Sequence, residues 1–151
     1  MNQIFQRLSS VFLYTLPLKA SIPFGYYLLY KYSFLNVLKL LILPVAIIEK
    51  SLPLGGLVFF LILYAGLVRN PNVPYFVRYN ACQALLLDIS LIIISYLLRI
   101  LSISSLDSII SVLGSIIFIF ILSIFIYSIS QCIYGNEPEI PLISKSVRMQ
   151  I

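Results

Sequence analysis

The chain has no histidine and no tryptophan, and only two cysteines and five acidic residues. Without histidine, no Ser–His or Cys–His pair can activate a nucleophile, and no HExxH metal motif can form. Zinc takes about four ligands of cysteine, histidine or carboxylate type. Cys82 and Cys132, each in or beside an apolar run, do not supply such a set. No metal or cofactor is therefore expected. There is no glycine-rich phosphate loop, and Asp88 is the one acid placed within an apolar run, so an intramembrane aspartate pair is missing as well. No catalytic residue is expected, and the chain does not read as an enzyme.

Charge is also scarce. Charged residues make up 10% and hydrophobic residues 61%, against about 25% and 45–50% in soluble domains. Mean hydropathy is +1.06. A domain of 151 residues has too little interior to hide so much apolar surface from water. It therefore belongs in a bilayer, where only helices and closed barrels satisfy the backbone. The apolar runs are continuous and do not alternate with period two, which selects helices. The expected fold is all-α, a single polytopic membrane domain over 1–151.

Four transmembrane helices are expected, at about 34–48, 54–68, 81–101 and 109–134. The first two are short for a hydrocarbon core of ~30 Å, so local bilayer thinning or interfacial extension should accompany them. A turn at Glu49-Lys50-Ser51-Leu52-Pro53 joins them, Gly55-Gly56 opens the second, and a short loop containing Asp107 joins the last two. Residues 1–32 are interrupted by Arg7, Pro17, Lys19 and Pro23. Within them, 5–18 reads as an interfacial amphipathic or partly inserted helix, with a full additional span as the alternative. A polar tail occupies 135–151. With four spans the N-terminus, the 69–80 loop and the tail share one side. That side then carries Arg7, Lys19, Lys31, Lys39, Arg69, Arg78, Lys145 and Arg148, against Lys50 and Arg99 opposite. The positive-inside rule puts both termini on the cytoplasm-like side. It also accounts for the net charge of +5 without nucleic acid as a partner.

Polarity concentrates at residues 68–89. Arg69, Asn70, Pro71 and Arg78 form a corner at the interface, with the arginines snorkelling. Asn80, Gln83 and Asp88 carry polarity on into the third span. A carboxylate at a helix centre costs about 2.5–3.5 kcal/mol on insertion scales, so Asp88 should face protein or water, be protonated, or be paired. At 100° per residue, Asn80, Asp88 and Ser95 share a broad face with Gln83 at its edge. Ser123, Tyr127, Ser130 and Gln131 form a stripe on the fourth span. The two stripes are expected to face each other or a common wet crevice. They serve either as helix contacts, worth about 0.6–2 kcal/mol per hydrogen bond, or as the lining of a polar path.

These residues carry a family resemblance. Arg69-Asn70-Pro71, followed by Phe76-Val77-Arg78-Tyr79-Asn80-Ala81-Cys82-Gln83-Ala84-Leu85-Leu86-Leu87-Asp88-Ile89, resembles the twenty-kilodalton membrane subunit of the translocon at the inner envelope of chloroplasts, including its plastid-encoded relatives. Leu16-Pro17-Leu18 with Pro23-Phe24-Gly25, Pro53-Leu54-Gly55-Gly56 and the tail Pro138-Glu139-Ile140-Pro141-Leu142-Ile143-Ser144 agree with it. Tyr79 and Cys82 stand where the family has Phe and Met. The resemblance covers nearly the whole chain. It implies a four-span protein of the plastid inner envelope with both termini towards the stroma, acting in import of cytosol-made preproteins. The expected partners are the lipid bilayer, other translocon subunits, preproteins in transit and further copies of the chain. The missing transit peptide fits plastid encoding, or a cyanobacterial plasma-membrane relative. In a reducing stroma both cysteines should be free thiols.

The resemblance implies a share in a preprotein-conducting path. Four helices fill their own core, so such a path needs further copies or partner subunits. The alternatives are a scaffold subunit with no conduit of its own and a small solute or ion channel. The last is poorly served by one aspartate.

Overall fold

The computed structural model describes residues 2–102 and 107–151, and the described residues are helical with no strand. Eight α-helices follow in order: α1 Gln3–Leu13, α2 Thr15–Ser21, α3 Tyr26–Lys31, α4 Val37–Ser51, α5 Gly56–Leu63, α6 Tyr75–Ser102, α7 Asp107–Tyr134 and α8 Ile143–Arg148. A 3₁₀ turn, Ser33–Asn36, leads into α4, and a π-helical turn, Tyr64–Val68, extends α5. Most of the loop expected between the third and fourth spans, 103–106, lies outside the described residues.

Prolines set most of the breaks. Pro17 sits in the first turn of α2, where its missing N–H costs little. One turn further into a continuous helix, its ring would clash with the Leu13 carbonyl, so α1 stops and α2 restarts at Tyr14. Pro23 follows the end of α2. Pro53, with Leu54 and Gly55 at positive φ, separates α4 from α5. Pro71 and Pro74 separate α5 from α6.

Helices α6 and α7 are each 28 residues long, about 42 Å at 1.5 Å per residue, enough to cross a bilayer. They are the two helices that meet the length and hydropathy needed for a span. The stretch Ser33–Ser51 plus Gly56–Val68 meets it as a pair, bent by 103°. The expected spans at 34–48 and 54–68 are thus two arms of one elbow. Pro53 and the positive-φ pair after it leave the backbone no straight continuation.

The N-terminal segment is not peripheral. Helices α1 and α2 pack on both α6 and α7, while α6 and α7 touch each other little. Arg7 Nη1 donates to Ile133 O at 3.0 Å near the end of α7. At the other end, Gly114 faces Phe24, where a Cβ would come within 2.9 Å of the Phe24 carbonyl oxygen. Gly25 lies against the Phe118 ring, where a Cβ would come within 2.5 Å. The segment therefore follows α7 from Ile133 to Gly114, about 28 Å at helical rise, close to the ~30 Å of a hydrocarbon core.

The sense of the amphipathicity bears on the expectation of an interfacial amphipathic or partly inserted helix over 5–18. Ile4, Phe5, Leu8 and Phe12 of α1 are exposed, while Ser10, Leu13 and Tyr14 are buried. The greasy face looks outward and the face with polar groups looks into the protein. The pattern alone is the same for both orientations.

Helix α6 changes character along its length. From Val77 to Leu87 nearly every residue is buried, whereas Ile92, Ile93, Tyr96, Leu97 and Ile100 are exposed. The lower half is wrapped by α1, α2, the π-helical turn and α8.

Candidate functional site

Two polar assemblies lie on α6, one in its wrapped lower half and one at its middle. The lower one is a closed knot. Tyr14, Asn80 and Gln83 are each 0% exposed. The Tyr14 hydroxyl lies 2.9 Å from both Asn80 Oδ1 and Gln83 Oε1. Asn80 Nδ2 donates to Phe76 O at 2.7 Å, and Cys132 Sγ approaches Asn80 Oδ1 at 3.4 Å. Gln83 Nε2 donates to Pro138 O at 3.2 Å and to Ser144 Oγ at 3.1 Å. Ser144 Oγ in turn accepts from Ile140 N at 2.7 Å, and Tyr79 donates its hydroxyl to Pro138 O at 3.1 Å. The tail is thereby folded back over the base of α6, and buried Pro138, Ile140 and Val147 seal it. Asn80 and Gln83 hold one helix to the first helix and to the last segment.

The corner beside it is built differently from the expected pair of snorkelling arginines. Asn70 Oδ1 accepts from Asn72 N at 3.0 Å, closing a short side-chain turn; Pro71 is exposed there. Arg69 is exposed. Arg78 is partly buried and donates from Nε to Val68 O at 3.0 Å and from Nη2 to Ile151 O at 3.3 Å. It ties the end of the π-helical turn to the chain terminus. In the tail, Arg148 Nη2 contacts Glu139 Oε1 at 2.9 Å; that hydrogen bond raises the guanidinium pKa above its ordinary value. Both cysteines are free.

The upper assembly is a cavity of about 920 Å³ between α2, the α4–α5 elbow, α6 and α7. Lys19, Glu49, Asp88, Ser95, Arg99 and Ser111 supply its polar lining, and Phe24, Phe60, Leu91 and Tyr96 are among its apolar walls. Lys19 and Glu49 form an ion pair, and Asp88 interacts with Lys19 electrostatically across the cavity. Asp88 makes no hydrogen bond or contact ion pair among the described residues. A Cβ at Gly56 would come within 2.5 Å of Glu49 Oε1, the mobile end of that side chain, so Gly56 borders the carboxylate closely.

Asp88 stands at the middle of α6, thirteen residues from Tyr75 and fourteen from Ser102. Three ionisable groups, Lys19, Glu49 and Asp88, and the break between α4 and α5 therefore meet at the level of the centre of α6. Non-helical backbone at such depth is tolerated where it is buried in protein or lines a wet cavity, and charged groups there face each other or water.

The expected opposition of two stripes does not occur. Ser123 and Tyr127 are exposed, Ser130 and Gln131 half-buried. Ser123 and Ser130 donate back to their own helix, to Ile119 O and Tyr127 O. The inward face of α7 is Phe118, Ile121, Phe125, Ser128 and Cys132, spaced by three and four like a packing seam. Helix α7 is apolar all round, so its few polar residues fix no phase, and the N-terminal segment occupies the space between α6 and α7. Of the α6 face, Asn80 and Gln83 enter the knot, while Asp88 and Ser95 line the cavity. Tyr14, Lys19, Glu49 and Ser144 complete the two assemblies. Their sequence signal is modest: Lys19 and Glu49 are isolated charges between apolar stretches, and nothing local pairs them.

These features define a class: a helical protein with two apolar helices long enough to cross a membrane, a sharply bent apolar pair, and a cavity lined by ionisable groups beside the middle of α6. Residues 2–147 match the sequence profile described as "Chloroplast import apparatus Tic20-like", and the chain belongs to that Tic20 family. Among relatives, Protein TIC 20-v, chloroplastic, of Arabidopsis thaliana is 33% identical over 154 residues, covering 96% of this chain and 70% of that protein. The Tic20 family protein Ycf60 of Gracilaria tenuistipitata is 33% identical over 156 residues, covering 98% and 76%. The Tic20 family protein of Synechocystis sp. is 32% identical over 97 residues, covering 62% of this chain and 61% of that protein, less than two thirds of its length.

Proposed function

We propose that this chain is a membrane subunit of the plastid inner-envelope protein import translocon and lends a wall to a preprotein-conducting path. One observation carries this: the cavity of about 920 Å³, with Lys19, Glu49 and Asp88 beside a broken helix at the middle of α6. A helix bundle built only to pack would gain nothing from three ionisable groups at that depth, where each is costly. Broken helices around a mid-depth site are a recurrent device of transport proteins. Four helices fill their own core, so a single copy is not expected to enclose a lumen for an extended chain. Partner subunits or a second copy complete the path, and no catalytic step is assigned to this subunit.

The same reading gives four crossings, with assignments other than those expected from hydropathy. The N-terminal segment through α2 is the first, the α4–α5 elbow the second, and α6 and α7 the third and fourth. Both termini then face the stroma. The positive bias survives but narrows: Arg7, Arg69, Arg78, Lys145 and Arg148 lie on the stromal side, Lys31, Lys39 and Arg99 opposite, and Lys19 and Lys50 at the level of the elbow.

A scaffold role is the second reading, and the knot favours it, since Asn80 and Gln83 serve assembly alone. Crosslinking decides between them. With Cys82 and Cys132 replaced, single cysteines at Tyr27, Ile92 and Ser95 are expected to crosslink a preprotein arrested during import into isolated plastids. Crosslinks to partner subunits alone would defeat the conduit reading.

A further inference from the structure

We infer that the cavity holds a subsite for one basic side chain, a lysine ammonium or arginine guanidinium of the polypeptide in passage, with Asp88 as its anion. The inference rests on the conduit reading and names what that path recognises. At the elbow end of the cavity two carboxylates, Glu49 and Asp88, face one ammonium, Lys19. Glu49 is in contact with Lys19; Asp88 feels it only at longer range and has no contact partner among the described residues. With all three groups ionised, the formal charges at this end sum to minus one. Arg99, the other cation of the lining, lies eleven residues along α6, about 16 Å away at helical rise, and α7 contributes Ser111 to the lining.

The surroundings sharpen this local charge. Apolar walls of Phe24, Phe60 and Leu91 keep the effective dielectric below that of water, so an unmatched carboxylate attracts a cation more strongly than at a surface. Lys19 itself shows that a long flexible stem can carry an ammonium to a carboxylate at this end, Glu49. A volume of about 920 Å³ is at the upper end of small-ligand sites, ample for a side chain and its flanking backbone.

The test uses isolated plastids carrying the full chain with benzoylphenylalanine at Ile92, which lines the cavity. Two arrested preproteins differ only in the segment held in the membrane, one with several lysines, the other with glutamines at those places. In the otherwise unaltered protein the lysine segment is expected to crosslink about tenfold more than the glutamine segment, the worth of one charge-assisted contact. Asp88→Asn should abolish the difference without lowering the glutamine yield, and Asp88→Glu should keep it. Equal yields from the two segments, or a lysine preference that survives Asp88→Asn, would overturn the subsite and leave the conduit standing. The comparison of the two segments needs no variant at Asp88, so it stands even where Asp88→Asn fails to accumulate. Loss of crosslinks from both segments at Ile92 would overturn the conduit and the subsite together.

Discussion

Replacing Tyr14 by Phe removes one oxygen from the centre of the knot and leaves the ring in place. The hydroxyl has a single proton and two acceptors at 2.9 Å, Asn80 Oδ1 and Gln83 Oε1. Asn80 Oδ1 keeps Cys132 Sγ at 3.4 Å. Gln83 Oε1 has no other donor among the described residues, and Gln83 is 0% exposed. The substitution therefore strands a buried acceptor, which costs about 1–3 kcal/mol in soluble proteins. Hydrogen bonds between membrane helices average about 0.6 kcal/mol with a maximum near 1.7. Tyr14→Phe is expected in the upper part of that membrane range, at about 1–1.7 kcal/mol, a factor of roughly 5–20 in the folded fraction. Reversible unfolding of the purified protein in mixed micelles, titrated with denaturing detergent, measures it. Gln83→Leu provides the control: in that background the acceptor is gone, so the additional cost of Tyr14→Phe should fall below about 0.5 kcal/mol, a non-additivity diagnostic of contact. A cost that is the same in both backgrounds would refute the claim that Gln83 depends on Tyr14.

Three further outcomes test other parts of the structure. Lys19→Met leaves Glu49 and Asp88 facing each other without a cation and should cost about 3–5 kcal/mol, seen as loss of accumulated protein; Lys19→Met with Glu49→Gln should recover most of it, and failure to recover would remove the ion pair from the account. Gly114→Leu forces side-chain volume against the Phe24 backbone and should cost about 1–3 kcal/mol in the same detergent titration, while Gly66→Ala, at a position with nothing nearby, should be neutral or slightly stabilising. Cysteines at Asn2 and Tyr26, in a chain lacking Cys82 and Cys132, are expected to react with a membrane-impermeant maleimide from opposite sides of sealed vesicles; labelling from one side only would return the N-terminal segment to the interface.

Much of the architecture is legible in sequence, because an apolar fraction of 61% places a chain this short in lipid and its continuous, non-alternating runs select helices over a barrel. The long apolar runs locate both ends of α7 and the end of α6 to within two residues, but α6 begins at Tyr75, six residues before the expected 81. The polar residues of 80–88 stand out because polarity inside such a run is costly. Phase is the part that fails. In water a helix shows its buried side by its apolar stripe, but in lipid both sides of α7 are apolar, so Ser123 and Tyr127 could be on either. Helix α1 inverts the soluble rule outright, turning Ile4, Phe5 and Leu8 outward. Lys19 and Glu49 also escape a local reading, since each looks like punctuation between apolar runs until the fold brings them together at Asp88.

The position of the first helix between the last two has a consequence for how the chain is made. Arg7 bonds to Ile133, Tyr14 to Asn80 and Gln83, and Lys19 lies opposite Asp88. Each of these partners is synthesised long after the residue that needs it. A membrane protein made of successive hairpins can settle each pair as it emerges. Here α1 and α2, short, broken and carrying a lysine, must wait until α6 and α7 have entered, and only then can the tail close over Gln83. Folding is therefore governed by contacts of long sequence separation, which are slow to form. Until they form, two short helices that carry Arg7, Ser10 and Lys19 are without partners, and chains released before the tail is complete should be the substrates of membrane proteases.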